Sequence, residues 1–166
     1  MRRLIVMRHA KSSWSSEATS DHQRPLNERG QRDAPKVAAY LKECGWTPDF
    51  ILSSDACRTR ETCAGMVRGF EDDIPVEFVR GLYLAGYHDL LQEVAVVDDQ
   101  VRTLLVLGHN PGWEVVVQKL TGEFVQLKTA NAALLECDLN EVDWQQALRS
   151  RQQWQQVDLV RARELD

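Results

Sequence analysis

Two short stretches of this chain join histidine to groups that bind oxyanions: Met7-Arg8-His9-Ala10-Lys11-Ser12 and Gly108-His109-Asn110-Pro111-Gly112. A third, Ser53-Ser54-Asp55-Ala56-Cys57-Arg58, supplies a second arginine. A neutral imidazole, with a reference pKa of about 6.5, can attack phosphorus at neutral pH, and no metal is then required. Arginine adds a planar, permanently charged fork that matches phosphoryl oxygens better than a lysine point charge. The residue types therefore suit phosphoryl transfer. His9 would be the nucleophile, Arg8 and Arg58 would grip the oxygens, and His109 would donate to them as charge shifts in a loose transition state.

Each stretch alone is a weak signal. An isolated Arg-His after a strand is commonly structural, Arg58 could be a helix-surface charge beside Glu61 or Thr62, and a lone His109 could be a loop hydrogen-bond partner. What these ordinary readings leave unexplained is the shared placement, because each cluster ends a predicted strand.

Leu4-Ile5-Val6-Met7 and Thr103-Leu104-Leu105-Val106-Leu107 are continuous branched apolar runs, as expected of strands buried on both faces. Asp49-Phe50-Ile51-Leu52-Ser53-Ser54 reads as a third strand, and helical patterns separate the three. Such alternation predicts a layered α/β sandwich, with ligands bound beyond the carboxyl ends of the strands. Helices are expected over 26–44, ended by Gly45, and over 56–68, 87–97 and 111–120, with Gly69 and Gly122 as stops. Pro35 either occupies the first turn of the first helix, with Asp33 near its cap, or breaks that segment in two. Asn110 and Pro111 look like a cap and first helical residue, and Ser54 or Asp55 could cap the Arg58 helix, so free amides would favour phosphate. Ala133-Leu134-Leu135-Glu136-Cys137 reads as a strand and 154–160 as an edge strand.

With 166 residues, 43% of them apolar, the chain fits one domain over 1–166 that needs no disulfide or metal staple. The net charge of −5 opposes binding to nucleic acid or acidic membranes, so any anion must be drawn by a local cluster. Arg2 and Arg3 precede an apolar run too short for a signal peptide, and no stretch could span a bilayer, so a soluble, cytoplasmic protein is expected. Cys44, Cys57, Cys63 and Cys137 are expected to be free thiols. His22 and His88 have no partner at metal spacing and read as surface residues. Glu71-Asp72-Asp73 and Asp98-Asp99 read as solvated loops. Trp14 could wall a pocket, though an aromatic anchoring its loop onto the core is the commoner outcome; Trp46, Trp113, Trp144 and Trp154 read as packing.

The stretch from Leu4 to His9 resembles the signature of the histidine phosphatase (phosphoglycerate mutase-like) superfamily. Ser54-Asp55-Ala56-Cys57-Arg58-Thr59-Arg60-Glu61-Thr62 is similar to that family's second-arginine segment. Leu107-Gly108-His109-Asn110-Pro111 is similar to its second-histidine segment, and Arg24-Pro25-Leu26-Asn27-Glu28-Arg29-Gly30 to the stretch before its first helix. The resemblance implies a three-layer α/β/α sandwich with a mostly parallel central sheet. It also implies a transient phosphohistidine on His9, with Arg8, Arg58 and His109 holding the phosphoryl group. Arg58, rather than Arg60, keeps the family's spacing to Thr62. Lys11, Ser12 and Arg24 are candidate substrate-binding residues that either contact phosphate or line the entrance. No metal or other cofactor is implied. The short length, the Arg-His-Ala-Lys-Ser opening and Gly-His-Asn-Pro-Gly look most like the SixA-type phosphohistidine phosphatases.

One departure bears on the substrate. Many relatives carry an acidic general acid between the second arginine and second histidine, where this chain reads Arg80-Gly81-Leu82-Tyr83-Leu84-Ala85. An alkoxide needs a proton to leave, whereas a phosphorylated imidazole carrying a ring proton can leave neutral, so an N-phosphate substrate fits better. Glu77 and Asp89 are the possible substitutes. The expected activity is therefore a protein-histidine phosphatase acting, as a monomer, on a phosphotransfer domain. The alternatives are a small-molecule phosphomonoesterase and a non-catalytic phosphate-binding module. A mutase would need a lid to exclude water, and no insertion is long enough for one.

Overall fold

The computed structural model describes residues 1–15 and 17–166. The strands are β1 (Arg2–Arg8), β2 (Phe50–Ser54), β3 (Val76–Val79), β4 (Thr103–Gly108), β5 (Ala132–Cys137) and β6 (Gln155–Val160). The helices are α1 (Glu28–Glu43), α2 (Cys57–Phe70), α3 (Tyr87–Glu93), α4 (Gly112–Thr121) and α5 (Trp144–Arg149). One sheet runs in the order β3-β2-β4-β1-β5-β6. The first four of these pair in parallel, and β5 runs against both β1 and β6, so the sheet is mostly parallel and the class is α/β.

The apolar runs have two-residue periodicity in what they bury. Ile5, Met7, Leu105 and Leu107 face a core shared with Val37, Leu41, Met66 and Phe70 of α1 and α2. Leu4, Val6, Leu104 and Val106 face a second core with Leu90 of α3, Trp113 of α4 and Trp144 of α5. Successive strand residues point to opposite faces, so a strand apolar at every position must be covered on both sides. That requirement produces the three layers.

Several local expectations are corrected. Pro35 neither starts nor breaks α1; the helix runs through it from an Asn27 cap, whose side chain accepts from the Gly30 amide at 2.9 Å. α1 and α2 meet here closely, because a Cβ on Gly69 would lie 2.5 Å from the Pro35 carbonyl and 2.7 Å from the Ala38 Cβ. Gly69 therefore serves helix contact inside α2, and Glu71, with φ of 55°, ends that helix instead. The edge strand β3 and the short α5 are additional elements. β3 has only four residues and a mixed burial pattern, which gives the sequence little periodicity to read.

Candidate active site

In-register parallel pairing brings the chemistry together. Arg8 lies opposite Gly108 across β1 and β4, and Ser53 opposite Leu107 across β2 and β4. The residues that follow, His9, His109 and Ser54, therefore emerge at one end of the sheet. The His9 amide donates to the Gly108 carbonyl at 3.0 Å, and the two imidazole centroids stand 5.4 Å apart. Arg58, in the first turn of α2, joins them through Thr62 one turn later. The Thr62 hydroxyl donates to the Arg58 carbonyl at 2.6 Å and accepts from the Ala10 amide at 3.0 Å. The spacing of Arg58 to Thr62 thus ties α2 to the loop that carries His9.

Arg8, His9, Arg58 and His109 line one cavity of about 170 Å³, together with Lys11, Ser12 and Arg24. All seven residues singled out in the sequence meet there. Arg60 is exposed, donates to the Asp55 carbonyl at 2.9 Å and is not part of the lining. Larger clefts elsewhere, of about 550, 440, 280 and 230 Å³, are lined by no histidine among the described residues.

His9 Nδ1 lies 2.7 Å from the Ala10 carbonyl, which can only accept, so Nδ1 carries the proton and Nε2 keeps its lone pair. Burial, reinforced by Arg58, His109 and Arg8, pushes its pKa down to about 3, so the ring is neutral at physiological pH. Burial and the Arg58 charge likewise lower His109 to about 4. His109 Nε2 lies 2.8 Å from the Ser54 hydroxyl. Its Nδ1, and the Nε of Arg8, are buried without a hydrogen-bond partner among the described residues. Buried polar nitrogens lacking partners are costly, and at a cationic cavity they are suited to receive the oxygens of an anionic ligand.

The helix starts differ from expectation. Pro111 is the N-cap of α4 and Gly112 its first residue, while the Asn110 side chain donates from Nδ2 to the Leu127 carbonyl at 2.7 Å. Leu127 also accepts from Arg8 Nη1 at 3.1 Å, so one carbonyl orients two cavity residues. Asp55 does not cap α2 but accepts contact from His22 Nε2 at 2.7 Å; His22 is therefore half-buried and paired, not a surface histidine. Ser54 accepts from the Ala56 amide at 3.3 Å, just ahead of that helix. Trp14 is 79% exposed and walls the cavity with its ring over the Arg24 guanidinium at 3.4 Å, so it does not anchor its loop on the core.

Neither substitute acid reaches the site. Asp89 accepts from the Gly86 amide at 2.9 Å as part of the α3 cap, and Glu77 is exposed on the edge strand β3. From the segment between them, Leu84 lines the cavity. Three residues with no sequence motif complete the surroundings: Thr129 in the lining, and Asp21 and Tyr83 behind it. The hydrogen bond from Tyr83, then Arg24 and Arg58, hold the Asp21 carboxyl down at about 2. Among the described residues no cluster of histidine, cysteine and carboxylate side chains could hold a metal ion, and no helix is long and apolar enough to cross a membrane.

A model of the histidine phosphatase superfamily, branch 1, matches residues 4–83. An uncharacterized chloroplastic protein of Arabidopsis thaliana is 41% identical over 88% of this chain and 70% of its own length. A solved structure assigned as the phosphohistidine phosphatase SixA of Agrobacterium tumefaciens aligns with a TM-score of 0.79 at 26% identity, covering 96% of this chain and 97% of that one. The chain belongs to the histidine phosphatase superfamily. Within this family the SixA type is the matching form, since a SixA structure from Nakamurella multipartitia also aligns at 28% identity and a TM-score of 0.78, over 96% of this chain and 95% of that one. The histidine phosphatase fold therefore extends beyond residue 83, through the strand and helix that carry His109.

Proposed function

We propose that this phosphatase removes phosphate from protein phosphohistidine through a transient phosphohistidine on His9. The lone pair of His9 Nε2 attacks phosphorus, the P–N bond of the substrate breaks, and the substrate imidazole departs neutral with its own ring proton. Water then attacks the phosphoenzyme, releasing inorganic phosphate and restoring neutral His9. Arg8 and Arg58 hold the equatorial oxygens. A Ser54 hydroxyl donating to His109 Nε2 keeps the His109 proton on Nδ1, free to donate to the same oxygens. The sequence supplies the ligands for this chemistry without a metal.

The observation that carries the substrate class is the lining, which among the described residues has three arginines, a lysine and two histidines and no carboxyl group. No carboxylic acid there can protonate an alkoxide, and Asp21, held at about 2, is a poor acid. The size agrees. At about 170 Å³ the cavity is smaller than the roughly 300–1,000 Å³ of ordinary small-molecule sites. It suits a phosphoryl group and a ring, with the remainder of the substrate outside.

The test is steady-state turnover in EDTA of phosphoramidate and a phosphohistidine peptide against p-nitrophenyl phosphate and alkyl phosphates, with trapping of acid-labile phosphoenzyme. Preference for the N-phosphates with label on His9 is expected. Preference for alkyl esters would overturn the substrate class in favour of a metabolite phosphatase, and phosphate binding without turnover would favour a recognition module.

A further inference from the structure

Behind the cavity, outside its lining, one carboxylate gathers the cationic wall. Asp21 opens the 3-10 turn Asp21–Gln23. Its Oδ1 accepts from Arg24 Nη1 at 2.8 Å, and its Oδ2 accepts from Arg58 Nη2 at 3.2 Å and from the Tyr83 hydroxyl. Its main-chain carbonyl accepts from Arg58 Nη1 at 2.9 Å. The Arg58 side chain is 4% exposed and that of Asp21 is 45% exposed, so the buried guanidinium lies between the cavity and a half-open carboxylate. His22, pinned to Asp55 at 2.7 Å, latches the same turn to the start of α2.

The lining gathers Arg8, Lys11, Arg24 and Arg58, and the Arg58 charge opposes that of Arg8 and disfavours protonation of His9 and His109. Asp21 balances this crowd from behind. A phosphoryl dianion in the cavity and the Asp21 carboxylate draw on the same guanidinium, so each weakens the hold of the other. Resting on the phosphatase reading above, we propose that Asp21 is a positioning residue that aims Arg58 and Arg24 before substrate arrives and limits their grip on inorganic phosphate, so that product leaves. Tyr83 grades this competition, because its hydroxyl takes up part of the charge on Oδ2 that would otherwise act on Arg58.

Inorganic phosphate is the probe. Its dissociation constant by calorimetry, and its inhibition constant against phosphoramidate, are measured for wild type, Asp21→Asn and Tyr83→Phe, each checked for a native melting transition. Asparagine keeps the size and removes the charge, so phosphate should bind about three- to tenfold more tightly while kcat falls. A merely structural contact would behave otherwise: losing it would loosen both arginines and weaken phosphate binding and kcat together. Tyr83→Phe should shift affinity the opposite way, to about twofold weaker binding. Unchanged or weaker phosphate binding in folded Asp21→Asn overturns the proposal; if that variant does not fold, unchanged or tighter binding in Tyr83→Phe does so. Wild type that neither binds phosphate nor turns over phosphoramidate would instead overturn the phosphatase reading, a result distinct from the others.

Discussion

His109 Nε2 lies 2.8 Å from the hydroxyl of Ser54, a contact between the ends of two neighbouring parallel strands. The hydroxyl also accepts from the Ala56 amide. It therefore connects the second histidine to the turn that launches Arg58. Ser54→Ala would strip His109 of its tautomer-setting partner and leave a buried amide unpaired. We expect kcat to fall about tenfold and stability by about 1–2 kcal/mol. Steady-state kinetics on phosphoramidate and urea unfolding check both, and an unchanged kcat would remove Ser54 from the mechanism.

His9 is 7% exposed, and its ring stands 5.4 Å from that of His109, another cavity residue. His9→Ala should abolish turnover and acid-labile phosphoenzyme while moving the melting temperature by only a few degrees, because little apolar packing is lost. A wild-type rate in this variant would refute the nucleophile assignment.

Arg58→Ala should behave differently. It removes a charged fork from the cavity and leaves Asp21 without its buried partner, so KM should rise and kcat fall together, with a combined loss of roughly a hundredfold or more in kcat/KM. Initial rates across substrate concentration separate the two terms; a change confined to KM would show that Arg58 binds the ground state only.

The lowered imidazole pKa values fix a stability window. His9 and His109 sit at about 3 and about 4 in the folded chain against 6.5 for an unperturbed imidazole. Between those values the unfolded chain binds the extra protons, so stability is full above pH 6.5 and falls as pH drops from 6.5 towards 4. Urea midpoints at pH 7.5, 6 and 5 should show that decline, and His9→Ala should flatten it. Activity should follow the same logic: His9 remains neutral well below pH 6, so an acid limb of kcat/KM near 6.5 would contradict a buried, neutral nucleophile.

Gly30 links the first helix to the site. A Cβ there would overlap the Lys11 backbone, whose carbonyl accepts from the Asn27 amide at 3.0 Å. Gly30→Ala should therefore displace the loop after β1 at Lys11 and Ser12, where Ser12 bridges Leu26, and lower kcat/KM at least tenfold. Gly69→Ala, which crowds Pro35 on the far side of α2, should cost a comparable 1–3 kcal/mol yet leave kcat near wild type. Loss of activity in both variants alike would mean that general destabilisation, and not site geometry, is being read.

Much of the site is legible in the sequence because it obeys local rules. Leu4 to Met7 and Leu104 to Leu107 are apolar at every position, so both strands must be central, and the polar residues immediately after them must share one sheet end. Candidates Arg8, His9, Arg58 and His109, and the layered α/β class, follow from order and type, whereas the mostly parallel sheet is implied by the family resemblance. Asp21, Tyr83 and Thr129 follow no such rule. They lie on turns whose position depends on which side chains the arginines find once folded, and Asp21 meets Arg58 across 37 positions of chain. Trp14 shows the same limit: hydrophobicity favours burial, but the Arg24 guanidinium and the cavity edge give its ring an exposed partner. α1 passes uninterrupted through Pro35, where it packs closely on Gly69 of α2, against the local preference of proline. Sequence determined which groups are the candidates for the chemistry, since strand periodicity and residue type are local properties. Tertiary structure decided their protonation, their aim and their counter-charges, because those depend on burial and on partners distant in the chain.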